Sequence, residues 1–451
     1  MKRLSVAHSL SLSALLLSAL GFTLLAGCRS EIPVMFEENL VHAKKWEIQD
    51  DLQLDQVIED TQWALAELFG TPDNPKLPDA ILEDEELAGL ISTEHLLAAS
   101  GPDTIAGRGL YRQHCARCHG ITGNGRGETA ALVEPYPRDF RAGIFKFKST
   151  ARNDKPLKSD IVRLIKHGIA GSSMVPEYQL PDGQVGPLPD DQIEALVDYV
   201  IYLSMRGEVE RAMFDEAAMN LFLDEGERII NPSLANSQDP EEVELFEEQW
   251  GYFVDTVVDV ADSWLLDESD AIEIEIPDDM PIPATHQELT EMLAGDDGDT
   301  LRASIERGRE LFVGTIASCS KCHGNEGRGD GQEADYDDWT KDWTIRAGLK
   351  PEDEASLIPL IARGALPPRT IKPRNFEEGV FRGGDRPEDL YHRLNQGIAG
   401  TPMPAVTLVP GQFEEQDIWH LINFVRSLKK EQTPVVDKPL VTRDDLTEEA
   451  D

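Results

Sequence analysis

The sequence predicts a mainly α-helical protein built from two tandem copies of one small domain, and three observations predict it. Apolar residues recur at helical spacing through most of the chain. A set of short motifs appears twice in the same order. Each copy opens on Cys-x-x-Cys-His: Cys115-Ala116-Arg117-Cys118-His119 in the first and Cys319-Ser320-Lys321-Cys322-His323 in the second.

That spacing is the one that attaches a c-type haem. Two thiols add to the two vinyl groups on one porphyrin edge, and the next residue brings an imidazole nitrogen to the iron. A structural zinc ion takes four ligands, and the five cysteines are used up by the two pairs and Cys28, so no further pair completes such a site. The motifs therefore predict two covalently bound haem c groups, held by Cys115, Cys118, Cys319 and Cys322, with His119 and His323 on the irons.

At 451 residues the chain holds two or three domains with cores of their own. Its 42 basic residues against 84 acidic ones leave a net charge of -42, which excludes nucleic acid as a partner and suits a soluble surface or a basic protein partner.

The chain begins with Lys2 and Arg3 before an apolar run from Leu10 to Leu25, an export signal over residues 1–27. The run stops at Leu25-Ala26-Gly27-Cys28, which resembles the lipobox of bacterial lipoproteins. The resemblance implies a mature chain that starts at a lipidated Cys28 and is held to a membrane by acyl chains, on the periplasmic or another extracytoplasmic face. A competing reading is an uncleaved transmembrane anchor, since the run is nearly long enough to span. Either way the chain is exported, and haem attachment of this kind also follows export.

Residues 28–100 form an N-terminal extension. Leu54, Val57, Ile58, Ala64, Leu65, Leu68 and Phe69 predict a helix around 51–69, ended by Gly70-Thr71-Pro72-Asp73-Asn74-Pro75, that packs on a haem domain. The first domain, 101–206, has a helix from Ala106 to His114, the haem motif, a glycine-rich turn over 120–127 that lets backbone pass close to the haem edge, a helix from Ser159 to His167, and a closing helix carrying Ile193, Leu196, Val197, Val200, Ile201 and Leu203. Residues 207–300 turn acidic yet keep a helical period through Val243, Phe246, Trp250, Phe253, Val257 and Trp264, so this connector packs on the haem domains and holds their separation. Ile272-Glu273-Ile274-Glu275-Ile276 alternates like a short strand. The second domain, 301–430, repeats the first, and an acidic tail covers 431–451.

The copies match at Pro137-Arg138-Asp139-Phe140 with Pro373-Arg374-Asn375-Phe376, and at Gly168-Ile169-Ala170-Gly171 with Gly397-Ile398-Ala399-Gly400. They differ in length: Met174 follows His119 by 55 positions, Met403 follows His323 by 80. The surplus lies between Gly331 and Lys372 and holds Trp339, Trp343 and a helix around 351–363; it covers the second haem edge, forms a docking surface or is a structural flap.

Both repeats resemble class I cytochromes c, over about half the chain, with 29–100 and 206–300 outside the resemblance. It implies His119 and His323 as proximal iron ligands and Met174 and Met403 as distal ones, with His167 as an alternative on the first iron. It also implies a proline carbonyl beside each proximal histidine, Pro135 or Pro137 for the first and Pro367, Pro368 or Pro373 for the second. Arg138 and Arg374 become partners of haem propionates or of surface carboxylates. A thioether opposite an imidazole favours ferrous iron and leaves no position for oxygen or peroxide. The expected function is electron transfer between redox protein partners, without a catalytic residue. The alternatives are a haem subunit of a respiratory complex (an oxidase, a quinol-oxidising complex or a dehydrogenase) and, less favoured, a diheme peroxidase or thiosulfate-oxidising enzyme.

Overall fold

A computed structural model of the chain describes residues 34–430 apart from 177, 180–183, 296–297 and 333–334. The signal peptide expected over 1–27, the lipidation site Cys28 and the tail over 431–451 lie outside the described residues. The chain divides at residue 35, and everything below belongs to the unit that begins at Phe36.

The extension supplies α1 (Leu40–Asp50), α2 (Asp55–Phe69), α3 (Asp79–Glu83) and α4 (Thr93–Ala99). The Asn39 side chain accepts from the His42 N–H and the Ser92 hydroxyl from the His95 N–H, each satisfying a donor that a helix start leaves unpaired. The first repeat follows with α5 (Leu110–His114), α6 (Ala116–His119), α7 (Lys158–His167) and α8 (Asp190–Asn220). Helix α5 starts later than expected because Gly107 and Gly109 have φ of 75° and 80°, outside the helical region.

The closing helix, expected from Ile193 to Leu203, continues to Asn220 because its apolar positions continue. Val209, Met213, Phe214 and Ala217 are buried with α1 and α2 in one core that reaches from Phe36 to Trp264. Glu210 is fully buried there, and its charge is met by the Arg206 guanidinium at 3.3 Å, the Asn39 N–H at 2.9 Å and the Gln62 amide at 2.6 Å. So the extension is cemented to the first repeat.

The acidic connector opens on α9 (Pro240–Asp262), capped by Asp239 and started by Pro240. Phe253, Val257, Ala261 and Trp264 are buried on the first repeat, where the Trp264 indole donates to Glu208 at 3.0 Å. The connector then crosses to the second repeat. Ile272 N–H donates to the Ser149 carbonyl at 2.9 Å, while the Glu275 and Pro281 carbonyls accept from Trp419 and Asn423, each at 3.0 Å. The strand expected at Ile272–Ile276 does not form: among the described residues no neighbouring strand pairs with it, and its backbone bonds go to Ser149 and to a tryptophan side chain. Alternation there serves an extended crossing.

The second repeat has α10 (His286–Ala294), α11 (Gly298–Val313), α12 (Ser320–His323), α13 (Asp338–Trp343), α14 (Glu354–Ile361), α15 (Pro387–Gln396) and α16 (Glu415–Ser427). Helix α11 lies along α16 and meets it at Gly308, where a Cβ would come within 2.0 Å of the His420 carbonyl oxygen. A second core, with Phe312, Tyr391, Trp419 and Ile422 at its centre, belongs to this repeat. The surplus segment is closed at its base by a two-residue antiparallel pair, Asp335 with Ile371 and Tyr336 with Thr370. Its helices α13 and α14 pack on α1, and Asp342 ion-pairs with Arg211 at 3.3 Å and with Lys45 at 3.7 Å. The surplus segment thus clamps the extension and the first repeat, and its Asp335, Asp337 and Thr340 also line the cavity described below.

Candidate haem centre

In each motif the two cysteines and the histidine stand at i, i+3 and i+4, which puts them on one face of a helical turn. The His119 N–H bonds to the Cys115 carbonyl and the His323 N–H to the Cys319 carbonyl, both at 2.9 Å. The glycine turn behind it is tied back to the same residues: Gly125 N–H to the His119 carbonyl at 2.9 Å and Gly127 N–H to the Cys118 carbonyl at 3.0 Å, with Gly329 to His323 at 2.8 Å and Gly331 to Cys322 at 3.1 Å in the second copy. These glycines make room for the protein's own chain. A Cβ at Gly125 would stand 2.8 Å from the Pro137 carbonyl oxygen, and one at Gly127 2.3 Å from that of Arg117.

The carbonyl beside each histidine belongs to arginine, one residue past the proline. His119 Nδ1 lies 3.0 Å from the Arg138 carbonyl oxygen and His323 Nδ1 3.4 Å from that of Arg374. A carbonyl only accepts, so Nδ1 carries the proton and Nε2 keeps its lone pair for a metal. Burial pushes the His119 imidazole down to about 4 and lowers that of His323 as well, keeping both neutral. Each ring stacks on a phenylalanine of the matching motif, His119 on Phe140 and His323 on Phe376, with centroids 4.6 Å apart in both. The repeated Pro-Arg-x-Phe pattern was the signal for these two rings.

The methionine loops are built alike. Ile169 N–H bonds to the Met174 carbonyl at 2.7 Å and Ile398 N–H to the Met403 carbonyl at 3.1 Å. Ser172 and Thr401 hydroxyls donate to Ile169 and Ile398 carbonyls and accept from the Met174 and Met403 N–H groups. The Val175 that separates Met174 from Pro176 leaves this geometry intact. His167, the alternative ligand, is exposed and outside the cavity wall described next.

Both motifs and both methionine loops line one continuous cavity of about 1300 Å³. One organic ligand takes roughly 300–1,000 Å³, so this space exceeds what a single ligand needs. Its wall carries Cys115, Cys118, His119 and Met174 together with Cys319, Cys322, His323 and Met403. Burial raises the Cys115 thiol to about 12 and the Cys319 thiol to about 11, the surroundings of a thioether and not of a thiolate.

Two family models match the chain, one described as Cytochrome c over residues 305–429 and one as Cytochrome C oxidase, cbb3-type, subunit III over residues 102–200. This chain is a tandem diheme c-type cytochrome. Two haems are bound covalently to it, and they supply iron that alternates between ferrous and ferric. No curated protein matches the cytochrome. Among solved structures, a chain of the reducing HAO-like protein complex of Kuenenia stuttgartiensis is similar at 23% identity, over 71% of this chain and 94% of that one, with a TM-score of 0.39.

The residues present fit two haems. Arg138 and Lys146 of the first repeat and Arg374 and Arg382 of the second all reach the cavity wall. Among the described residues Arg138 and Lys146 have no carboxylate in ion-pairing range, and Arg374, paired with Glu378 at 3.3 Å, leaves its Nε buried without an acceptor. Cations at the cavity wall, in a chain of net charge -42, suit the acid groups of porphyrins. The expectation that Arg138 finds a surface carboxylate is not met: its guanidinium lies over the Trp339 ring at 3.4 Å, and burial holds it down at about 10.

Proposed function

We propose that this cytochrome is a one-electron carrier in which His119 with Met174 and His323 with Met403 are the axial pairs, and Cys115, Cys118, Cys319 and Cys322 the thioether anchors. The observation that carries this reading is the common cavity, lined by the histidine and the methionine loop of each repeat. A porphyrin capped by imidazole and thioether has no position for a small substrate, so the chain's work is to hold two irons near each other and dry. Electrons enter from one redox protein and leave to another. Cys28, lipidated, holds the carrier on an extracytoplasmic membrane face; among the described residues no helix is long and apolar enough to cross a membrane. The extension and connector pack on the chain's own repeats, which supports a self-contained carrier over a subunit that uses them to dock in a respiratory complex.

The test is spectroscopic. The oxidised native protein shows the weak near-infrared band of methionine-ligated ferric haem at two equivalents per chain, and carbon monoxide leaves the reduced spectrum unchanged. Ready binding of carbon monoxide to the native protein overturns the reading and points to catalysis.

A further inference from the structure

We infer that each methionine loop is held by an arginine of the opposite repeat, Arg152 gripping the Met403 loop and Arg382 the Met174 loop, so that each haem's sixth ligand is positioned from across the seam. The inference rests on the proposal that these methionines ligate iron.

Each loop satisfies its own inner groups with the serine or threonine bonds described above, and turns other carbonyls outward to the opposite repeat. Arg152 spans two of these in the second repeat, Nη1 to the Met403 carbonyl oxygen at 3.2 Å and Nη2 to that of Thr401 at 3.3 Å. Arg382 meets the first repeat's loop at the Gly171 carbonyl oxygen, Nη2 at 3.2 Å and Nε at 3.4 Å. Two glycines of these loops admit the visitors. A Cβ on Gly397 would stand 2.5 Å from Arg152 Nη1, and one on Gly171 2.8 Å from Val380 Cγ1 and 3.2 Å from Arg374 Nη2.

Among the described residues neither arginine is ion-paired, although acidic residues outnumber basic ones two to one in this chain. A guanidinium fork without a carboxylate, set on carbonyls, is there for the carbonyls. The two grips are not copies of each other. Arg382 occupies the position that Lys146 holds in the first repeat, whereas Arg152 comes from the turn before α7. The two contacts stand at non-equivalent positions, and each is separately removable. Bonds from a charged donor to loop carbonyls resist the peeling of the loop that takes a thioether off iron. Arg152 and Arg382 are thus positioning residues, acting on the irons only through the methionines.

The experiment isolates one haem at a time. In a Met174→His background the first haem is bis-histidine and lacks the near-infrared band, so the band that remains reports the second. Adding Arg152→Ala lowers the pH at which this band is lost by about one unit, the worth of one charge-assisted hydrogen bond. Arg152→Lys, which keeps the charge and one donor, restores most of the shift, and serves as the test should the alanine variant not fold. Arg382→Ala in the same background leaves the band where it was, but shifts it in Met403→His. A band lost at the same pH with and without Arg152 overturns the inference while the ligand assignment stands. No band at all in Met174→His alone removes Met403 from the iron and takes the inference with it.

Discussion

The guanidinium of Arg138 lies 3.4 Å from the ring centre of Trp339, joining the first repeat to the clamp segment of the second. The Arg138 carbonyl accepts from His119, and the six-membered-ring edge of the indole presses on Gly400, where a Cβ would come within 1.8 Å of it. One tryptophan thus connects the histidine of the first haem site with the methionine loop of the second.

Removing that indole should loosen the seam. Trp339→Ala is expected to cost about 2–3 kcal/mol, from lost packing and a cation–π contact. Denaturant titration followed by haem absorbance measures it. Trp339→Phe should recover about half, and an alanine variant as stable as the parent would mean that the seam does not depend on this ring.

A second consequence is pH dependence in the extension. Burial pushes His42 down from 6.5 to about 4, while its Nε2–H donates to Asp215 at 2.6 Å. A depressed pKa in the folded state gives stability that is whole above pH 6.5 and is lost as pH falls toward 4, at most about 3 kcal/mol. His42→Gln should flatten the stability curve in that window and leave it parallel to the parent above pH 7. Urea midpoints from pH 7.5 to 4 are the measurement.

Local features were legible in the sequence and long-range ones were not. Haem attachment, helix periods and paired methionine loops are all written in residues a few positions apart, where chain geometry leaves little choice. Which carbonyl faces His119 depends on the backbone path after Pro137, and no composition signal separates proline from the next residue. Ile272–Ile276 alternates correctly for a strand, but a strand needs a partner, and pairing is a tertiary fact. Trp339 was visible as an aromatic in a surplus segment; its place over Arg138, over two hundred positions earlier, was not.

The glycine turns make a sharp contrast between packing and conformation. A Cβ on Gly127 would stand 2.3 Å from the Arg117 carbonyl oxygen, whereas one on Gly107 meets nothing within 4 Å. Gly107→Ala bears only the strain of its φ of 75°, about 1 kcal/mol. Gly127→Ala has to push the turn off the Cys-x-x-Cys-His helix, so holoprotein yield should fall at least tenfold. Haem stain per milligram of purified chain compares them, and equal yields would show that the turn closes without this approach.

The assignment of the sixth ligands admits the most direct removal. Met174→Leu and Met403→Leu keep the size and apolar character of the side chain but take away the sulfur. Each loop is held by its own hydroxyl and backbone bonds, Ser172 in the first and Thr401 in the second, so neither substitution should unfold it. Each single variant is expected to bind one equivalent of carbon monoxide when reduced, to lose half of the near-infrared band when oxidised, and to show a lower potential at one haem only, because the thioether's preference for ferrous iron is gone. The double variant binds two equivalents. If Met174→Leu alone left band and carbon monoxide stoichiometry unchanged, the first iron would have some other sixth ligand, and the equivalence of the two loops would be one of backbone alone.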